Sequence, residues 1–107
     1  MYKGIIIEES LEDVRDLSSF SILETNVSGT WHIHTVEANE QAILRLPELL
    51  KAGTWYAHFW TGDDVIAVFH EKVFRFKHSD ISTWADALSY GRSLGIPDEQ
   101  LDFPITS

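Results

Sequence analysis

Histidines are the side chains of this sequence best suited to chemistry, and three of its five sit in patterned company. His32 and His34 stand at i and i+2 within GTWHIHTVE, and His58 follows in WYAHFW. On a β-strand, residues two apart share a face with Cα atoms about 6.6 Å from one another, so His32 and His34 can chelate one ion. A metal centre then needs a third ligand, and Glu8, closing the first apolar run, is the carboxylate whose parity suits the role. An imidazole is also an acid or base near neutral pH, the more so beside Tyr56 or Glu8 in a partly dry cavity. His34 and His58 are the catalytic candidates on that reading. No Ser/His/Asp arrangement or glycine-rich phosphate loop is legible, and the pair Asp63-Asp64 falls where turn chemistry accounts for it. His78, beside Ser79 and Asp80, belongs to a helix entry. The absence of cysteine excludes thiol nucleophiles, disulfides, Cys-ligated zinc and iron–sulfur clusters.

The elements that must position these residues are short and alternate along the chain. The β-branched run KGIIIE, residues 3 to 8, predicts a buried strand. Ser10 opens S-L-E-D, a capping-box pattern, and predicts a helix over 11–17 that buries Leu11, Val14 and Leu17. Residues 20 to 27 and 30 to 36 form a hairpin through Ser28-Gly29, where glycine supplies a positive φ. Asn39 caps a second helix to about residue 52, with Ile43, Leu46, Leu49 and Leu50 at helical spacing and Gly53 as terminator. Pro47 inside it predicts a kink or two abutting short helices. A second hairpin joins 55–61 to 65–69 through Gly62-Asp63, and a further strand, 73–77, folds back after Glu71-Lys72. A last helix, capped by Ser79 or Asp80, packs Ile81, Trp84 and Leu88 and stops at Gly95-Ile96-Pro97. Leu101 and Phe103 in the tail DEQLDFPITS anchor against the core.

The order predicts one α+β domain over residues 1–107, with a mainly antiparallel sheet. Its first six elements follow the ferredoxin-like βαββαβ order, extended by C-terminal strands and a helix. Residue parity assigns Trp31, Ile33, Trp55, Ala57, Phe59 and Phe69 to a helix-covered face. It leaves Ile6, Glu8, His32, His34, Tyr56, His58, Trp60, Ile66, Val68 and His70 on the other. A face that apolar needs a cover, whether a second subunit, the C-terminal elements or a ligand. Glu8, His32, His34, Tyr56, His58 and Trp60 are therefore the expected binding or interface residues.

Composition narrows the partners. At 107 residues and 44% hydrophobic content, the chain is long enough to bury a single core without a metal or disulfide. Its formal charge of −9 arises from 17 acidic and 8 scattered basic side chains. Nucleic acids and anionic membranes both require basic patches, and neither is an expected partner. MYKGIII lacks a signal-peptide core, and no apolar run approaches the roughly 18 residues of a membrane span. The expectation is a cytoplasmic protein without a cofactor, whose partner is a second copy of the chain or a small molecule.

The stretches KGIIIEESL, HTVE, WYAHF, KVF and YGRSLGIPDEQLDF together resemble a family of small, about 100-residue, uncharacterised prokaryotic proteins. That resemblance spans nearly the whole chain and implies no activity, substrate or site. A second resemblance is architectural: ferredoxin-like chains of this size that pair into dimeric α+β barrels include small monooxygenases. The leading expectation is thus a small binding or interaction protein. The alternatives are an enzyme of the dimeric barrel type using His34 or His58 as acid or base, and a metal protein using His32, His34 and Glu8.

Overall fold

The N-terminal apolar run becomes β1 (Tyr2–Ile7), an inner strand of a six-stranded sheet, in a computed structural model that describes residues 1–103. The other strands are β2 (Ser21–Ser28), β3 (Trp31–Ala38), β4 (Tyr56–Thr61), β5 (Asp64–Phe69) and β6 (Lys72–Lys77). Their spatial order is β2-β3-β1-β4-β5-β6, with every neighbouring pair antiparallel. Two-residue loops close the three hairpins. Gly29 (φ +62°) and Gly62 (φ +56°) open the first two, where a Cβ would be strained, whereas the third places Glu71 at φ +60°.

Two helices complete the fold. Asn39 accepts the Ala42 amide on its side chain at 2.8 Å and starts α1 (Glu40–Arg45). Pro47 sits in the 3-10 turn Leu46–Glu48 that continues it, so two short helical pieces abut as its position predicted. The C-terminal helix α2 (Ala85–Ser93) follows a 3-10 turn capped by Asp80, and it ends at Gly95 (φ +87°). Trp84 is buried in this region, but Ile81, an expected packing residue, is 65% exposed.

The expected helix over 11–17 does not form. Ser10 Oγ donates to the Ile7 carbonyl at 2.5 Å and closes a 3-10 turn instead of capping a helix. Leu11 pairs across to Leu50 in an isolated bridge, and Asp13 caps a second 3-10 turn, Val14–Ser19. Seven residues are too few to offset helix nucleation unless packing favours it. Here Leu11 and Leu17 are buried, while Val14 lies half exposed.

The assignment of faces also needs correction, and the hairpin loops give the reason. A two-residue loop makes paired residue numbers add to an odd sum, so Phe59 pairs Ile66 and His58 pairs Ala67. Face parity therefore flips at each such hairpin. It flips again between β1 and β4, where Ile5 meets His58, but not between β1 and β3, where Ile6 meets His34. Consequently His32, His34 and Val36 share a face with Ile6, Ala57, Phe59, Ile66 and Val68. Trp31 and Ile33 share the opposite face with Ile5, Tyr56, His58, Trp60 and Phe69.

Each face has its own core. On the first, Ile6, Val36, Phe59, Ile66 and Val68 pack beneath α1 and the 3-10 segments, together with Leu11, Leu17, Phe20, Ile43, Leu46 and Leu50. On the second, Trp60, Val65, Ala67, Phe69 and Phe76 are covered by Trp84, Ala87, Ile96, Leu101 and Phe103. This second cover spans β4 to β6 and reaches Ile5 of β1. Over β3 and β1 the same face stays partly open, and β2 is exposed along its whole length. No helix among the described residues is long and apolar enough to cross a membrane.

Candidate functional sites

The partly open half of the second face holds a groove of about 650 Å³. Its floor is Ile5 and Ile7 of β1, Ile33 of β3 and His58 of β4; its far wall is the C-terminal segment, through Pro97, Gln100 and Asp102. Trp31 and Trp55 meet at one end with ring centroids 5.8 Å apart and planes inclined at 59°. Trp31 is 40% exposed, so part of this aromatic pair faces solvent.

The groove's polar groups are few. Tyr56 donates its hydroxyl to the Gln100 carbonyl, which ties the C-terminal wall to β4. Burial pushes the Tyr56 phenol up from its ordinary value, and the Asp102 carboxylate adds to the shift. His58 is buried between Trp60, at a centroid distance of 5.3 Å, and Phe103, at 6.0 Å. No lysine or arginine lines the groove, and Asp102 makes it unfavourable to anions.

On the opposite face, the end of β1 and the middle of β3 bring four ionisable side chains together. The 3-10 turn that follows β1 directs both Glu8 and Glu9 toward β3. Glu9 accepts the His32 backbone amide at 2.8 Å through Oε1, and its Oε2 lies 2.8 Å from His32 Nδ1. Glu8 Oε1 is 3.0 Å from His34 Nε2, and Glu8 Oε2 is 3.9 Å from His32 Nδ1. Thr25, directly across the β2–β3 hairpin from His34, hydrogen-bonds His34 Nδ1 at 2.8 Å. His34 is buried, the His32 side chain is 45% exposed, and the two glutamates are intermediate.

Electrostatics follow this geometry. The hydrogen bond to Glu9 raises the His32 imidazole above its ordinary value, opposed by partial desolvation and aided by the charges of Glu9 and Glu8. Glu9 is lowered, first by the His32 backbone amide and then by the ring. Among the described residues, Glu8 and Glu9 make ion pairs with histidines alone. The paired arginines and Lys77 lie elsewhere, with Asp13, Glu40, Asp64 and Asp98.

The six residues expected on one surface are thus divided. Glu8, His32 and His34 do converge, but Tyr56, His58 and Trp60 lie through the sheet from them, and Trp60 is buried beneath the C-terminal cover. His34 and His58 cannot cooperate in one active site. Both ring nitrogens of His34 are engaged, by Thr25 and Glu8. His70 bonds the Leu50 carbonyl at 2.7 Å, and His78 packs on Trp84 at 5.6 Å, both in structural surroundings. Glu9, Thr25, Trp31 and Trp55 were absent from the expected set. Thr25 was within reach of sequence reasoning, because a two-residue hairpin loop at Gly29-Thr30 dictates that residue 25 faces residue 34.

Comparison with models of known protein families, with curated proteins and with solved structures gives no match.

Proposed function

We propose that the protein is a small-ligand-binding module whose site is the groove between β3-β1-β4 and the C-terminal segment. One observation carries this reading: a concavity of about 650 Å³ floored by isoleucines and walled by Trp31, Trp55 and Tyr56. That volume lies within the range of roughly 300–1,000 Å³ found for small-molecule sites, and the mainly apolar lining with a few convergent polar groups matches their chemistry. The absence of lysine and arginine from the lining, together with Asp102, favours a neutral or cationic ligand with a flat apolar body.

The first four strands in the order β2-β3-β1-β4, all antiparallel, support the finer assignment of a ferredoxin-like unit within the α+β fold. In that assignment the short 3-10 turns stand where the first helix of such a unit would lie. A dimeric barrel built by pairing second faces has only the β2-β3-β1 half available, since the chain's own C-terminal elements cover the remainder.

The test is dye binding followed by competition. Nile red, a neutral dye, is expected to bind one site with enhanced emission and to quench tryptophan fluorescence. An anionic naphthalene sulfonate is expected to bind much more weakly. Trp31→Ala removes half of the aromatic pair at a partly exposed position, and it should weaken Nile red binding about tenfold, the equivalent of about 1.4 kcal/mol. Unchanged dye affinity in Trp31→Ala defeats the proposal. So does a stable dimer by sedimentation that Ile33→Glu converts to monomer, which would give the groove to a second copy of the chain.

A further inference from the structure

The geometry points to a second site, on the first face and independent of the groove: a centre for one divalent transition-metal ion held by His32, His34, Glu8 and Glu9. Ligand atoms from His32, Glu8 and Glu9 all lie within 4.8 Å of one another; His34 stands outside that set, beside Glu8 at 3.0 Å, and joins as a fourth ligand by moving toward it. Two ligands bound to one ion at about 2.1 Å stand roughly 3.0–3.4 Å apart in tetrahedral or octahedral arrangements. Three of the pairs, 3.0 Å from Glu8 to His34, 2.8 Å from Glu9 to His32 and 3.9 Å from Glu8 to His32, lie within 1 Å of that spacing.

The surroundings fit a metal better than a simple ion-pair cluster. His34 is 6% exposed and presents Nε2 to Glu8 because Thr25 holds its other nitrogen, the arrangement that fixes the tautomer of a metal-bound histidine. Glu9 is pinned from behind by the His32 backbone amide. Two carboxylates on successive residues converge without a lysine or arginine paired to either among the described residues, and a divalent cation between them would offset their charge. The β-strand spacing of His32 and His34 comes from β3, and the carboxylates come from the 3-10 turn that follows β1, where Glu9 is tied to the His32 amide, so the donors already face one another.

Donor chemistry selects the class of ion. Two imidazole nitrogens and two carboxylates suit Zn²⁺ and its first-row neighbours, whereas Mg²⁺ and Ca²⁺ prefer oxygen alone. The His32 side chain is only half-buried, so one side of the ion stays open to water or an exogenous ligand.

The experiment is calorimetric titration of tag-free, chelator-treated protein with Zn²⁺ and, separately, Mg²⁺. One equivalent of Zn²⁺ is expected to bind, with no Mg²⁺ heat at the same concentrations. His32→Ala, at a half-buried position outside both cores, should fold normally and weaken Zn²⁺ at least tenfold. Thr25→Val keeps all four ligands and should weaken it by about 10- to 100-fold, as loss of a supporting hydrogen bond does elsewhere. In histidine NMR spectra, substoichiometric Zn²⁺ should shift the rings of His32 and His34 together and leave His70 and His78 in place. Absence of Zn²⁺ binding overturns the proposal, as does binding that His32→Ala and Thr25→Val leave unchanged. Shifts spread over all the histidines would reveal adventitious surface coordination and overturn it as well.

Discussion

Gly4→Ala tests the corrected faces of the sheet, on which the separation of the two sites depends. Gly4 lies in β1, opposite Val36 on one side and Phe59 on the other. A Cβ at this position would stand 2.0 Å from Phe59 Cδ2, 2.5 Å from Cε2 and 2.7 Å from Cγ. Comfortable carbon contacts are about 3.5–4.0 Å, so the ring would have to retreat by about 1.5 Å. Phe59 has no room to do so, being fully buried and stacked on Phe20 at 6.1 Å. Overpacking of this kind costs about 1–3 kcal/mol, and the reduced entropy of the unfolded chain returns about 0.4–1 kcal/mol. A net loss of about 1–2 kcal/mol is expected, or roughly 5–10 °C in melting temperature for a domain of this size. In a Phe59→Leu background the slimmer side chain vacates that space, and the same Gly4→Ala change should become nearly neutral, a coupling of about 1–2 kcal/mol. Urea denaturation monitored by tryptophan fluorescence measures all four corners of the cycle. If Gly4→Ala is within about 0.5 kcal/mol of wild type, or costs the same in both backgrounds, Phe59 does not cross Gly4 and the face assignment fails.

Two further outcomes follow from local chemistry. Asn39→Ala removes the acceptor for the Ala42 amide and should destabilise the protein by about 1 kcal/mol in the same denaturation assay, with Asn39→Asp close to wild type. Asp63 accepts both the Ser79 hydroxyl and the Ser79 amide, and these bonds hold its carboxyl below the ordinary 3.8. A lowered folded-state pKa stabilises the protein fully above that ordinary value, and the contribution is lost as pH falls through the folded value. Thermal melts should therefore show wild type more stable than Asp63→Asn at pH 6, with the gap closing as pH falls below about 3.8; a gap constant down to pH 2 contradicts the assignment.

Local signals in the sequence were strong where a single element decides the outcome. Gly29 and Gly62 mark their hairpins, Asn39 its cap, Pro47 the break in the helical segment and Gly95 the end of α2, because each residue's backbone or side-chain preference acts within one turn. The first helix failed for the opposite reason. S-L-E-D satisfies a capping rule, yet Ser10 finds the Ile7 carbonyl and Leu11 finds Leu50, a partner 39 positions away that no local pattern contains. Face assignment failed because parity is inherited through pairing. Within β3 the division of His32 and His34 from Trp31 and Ile33 is legible, but relating β3 to β4 requires both registers of β1. Glu9 was missed because a strand would have pointed it away from Glu8. Only the 3-10 turn that ends β1 brings both carboxylates to one side.

The two sites are placed asymmetrically in the molecule, and packing supplies the reason. The strands β4 and β5 are covered on both faces, so most of their side chains are committed to the two cores, and from β4 Tyr56 and His58 reach the groove. β3 and β1 are covered on one face beneath α1 and left partly open on the other, where Ile5, Ile7 and Ile33 keep some access to solvent. Their ends extend beyond both covers, which is where Glu8, Glu9, His32 and Trp31 stand. Apolar residues left there at the sheet's open half form the groove, and polar residues one position along the same strand form the histidine–glutamate cluster through the sheet from it. A single alternating segment, Trp31-His32-Ile33-His34, therefore lines both sites, with its odd positions in the groove and its even positions in the cluster. A one-residue slip of β3 against β1 would exchange the two sets, placing Trp31 and Ile33 against the glutamates and the histidines beside Trp55. The pairing of Ile6 with His34, next to buried Val36 and Phe59, sets that register, so the same core contacts that fold the sheet also keep the two chemistries apart.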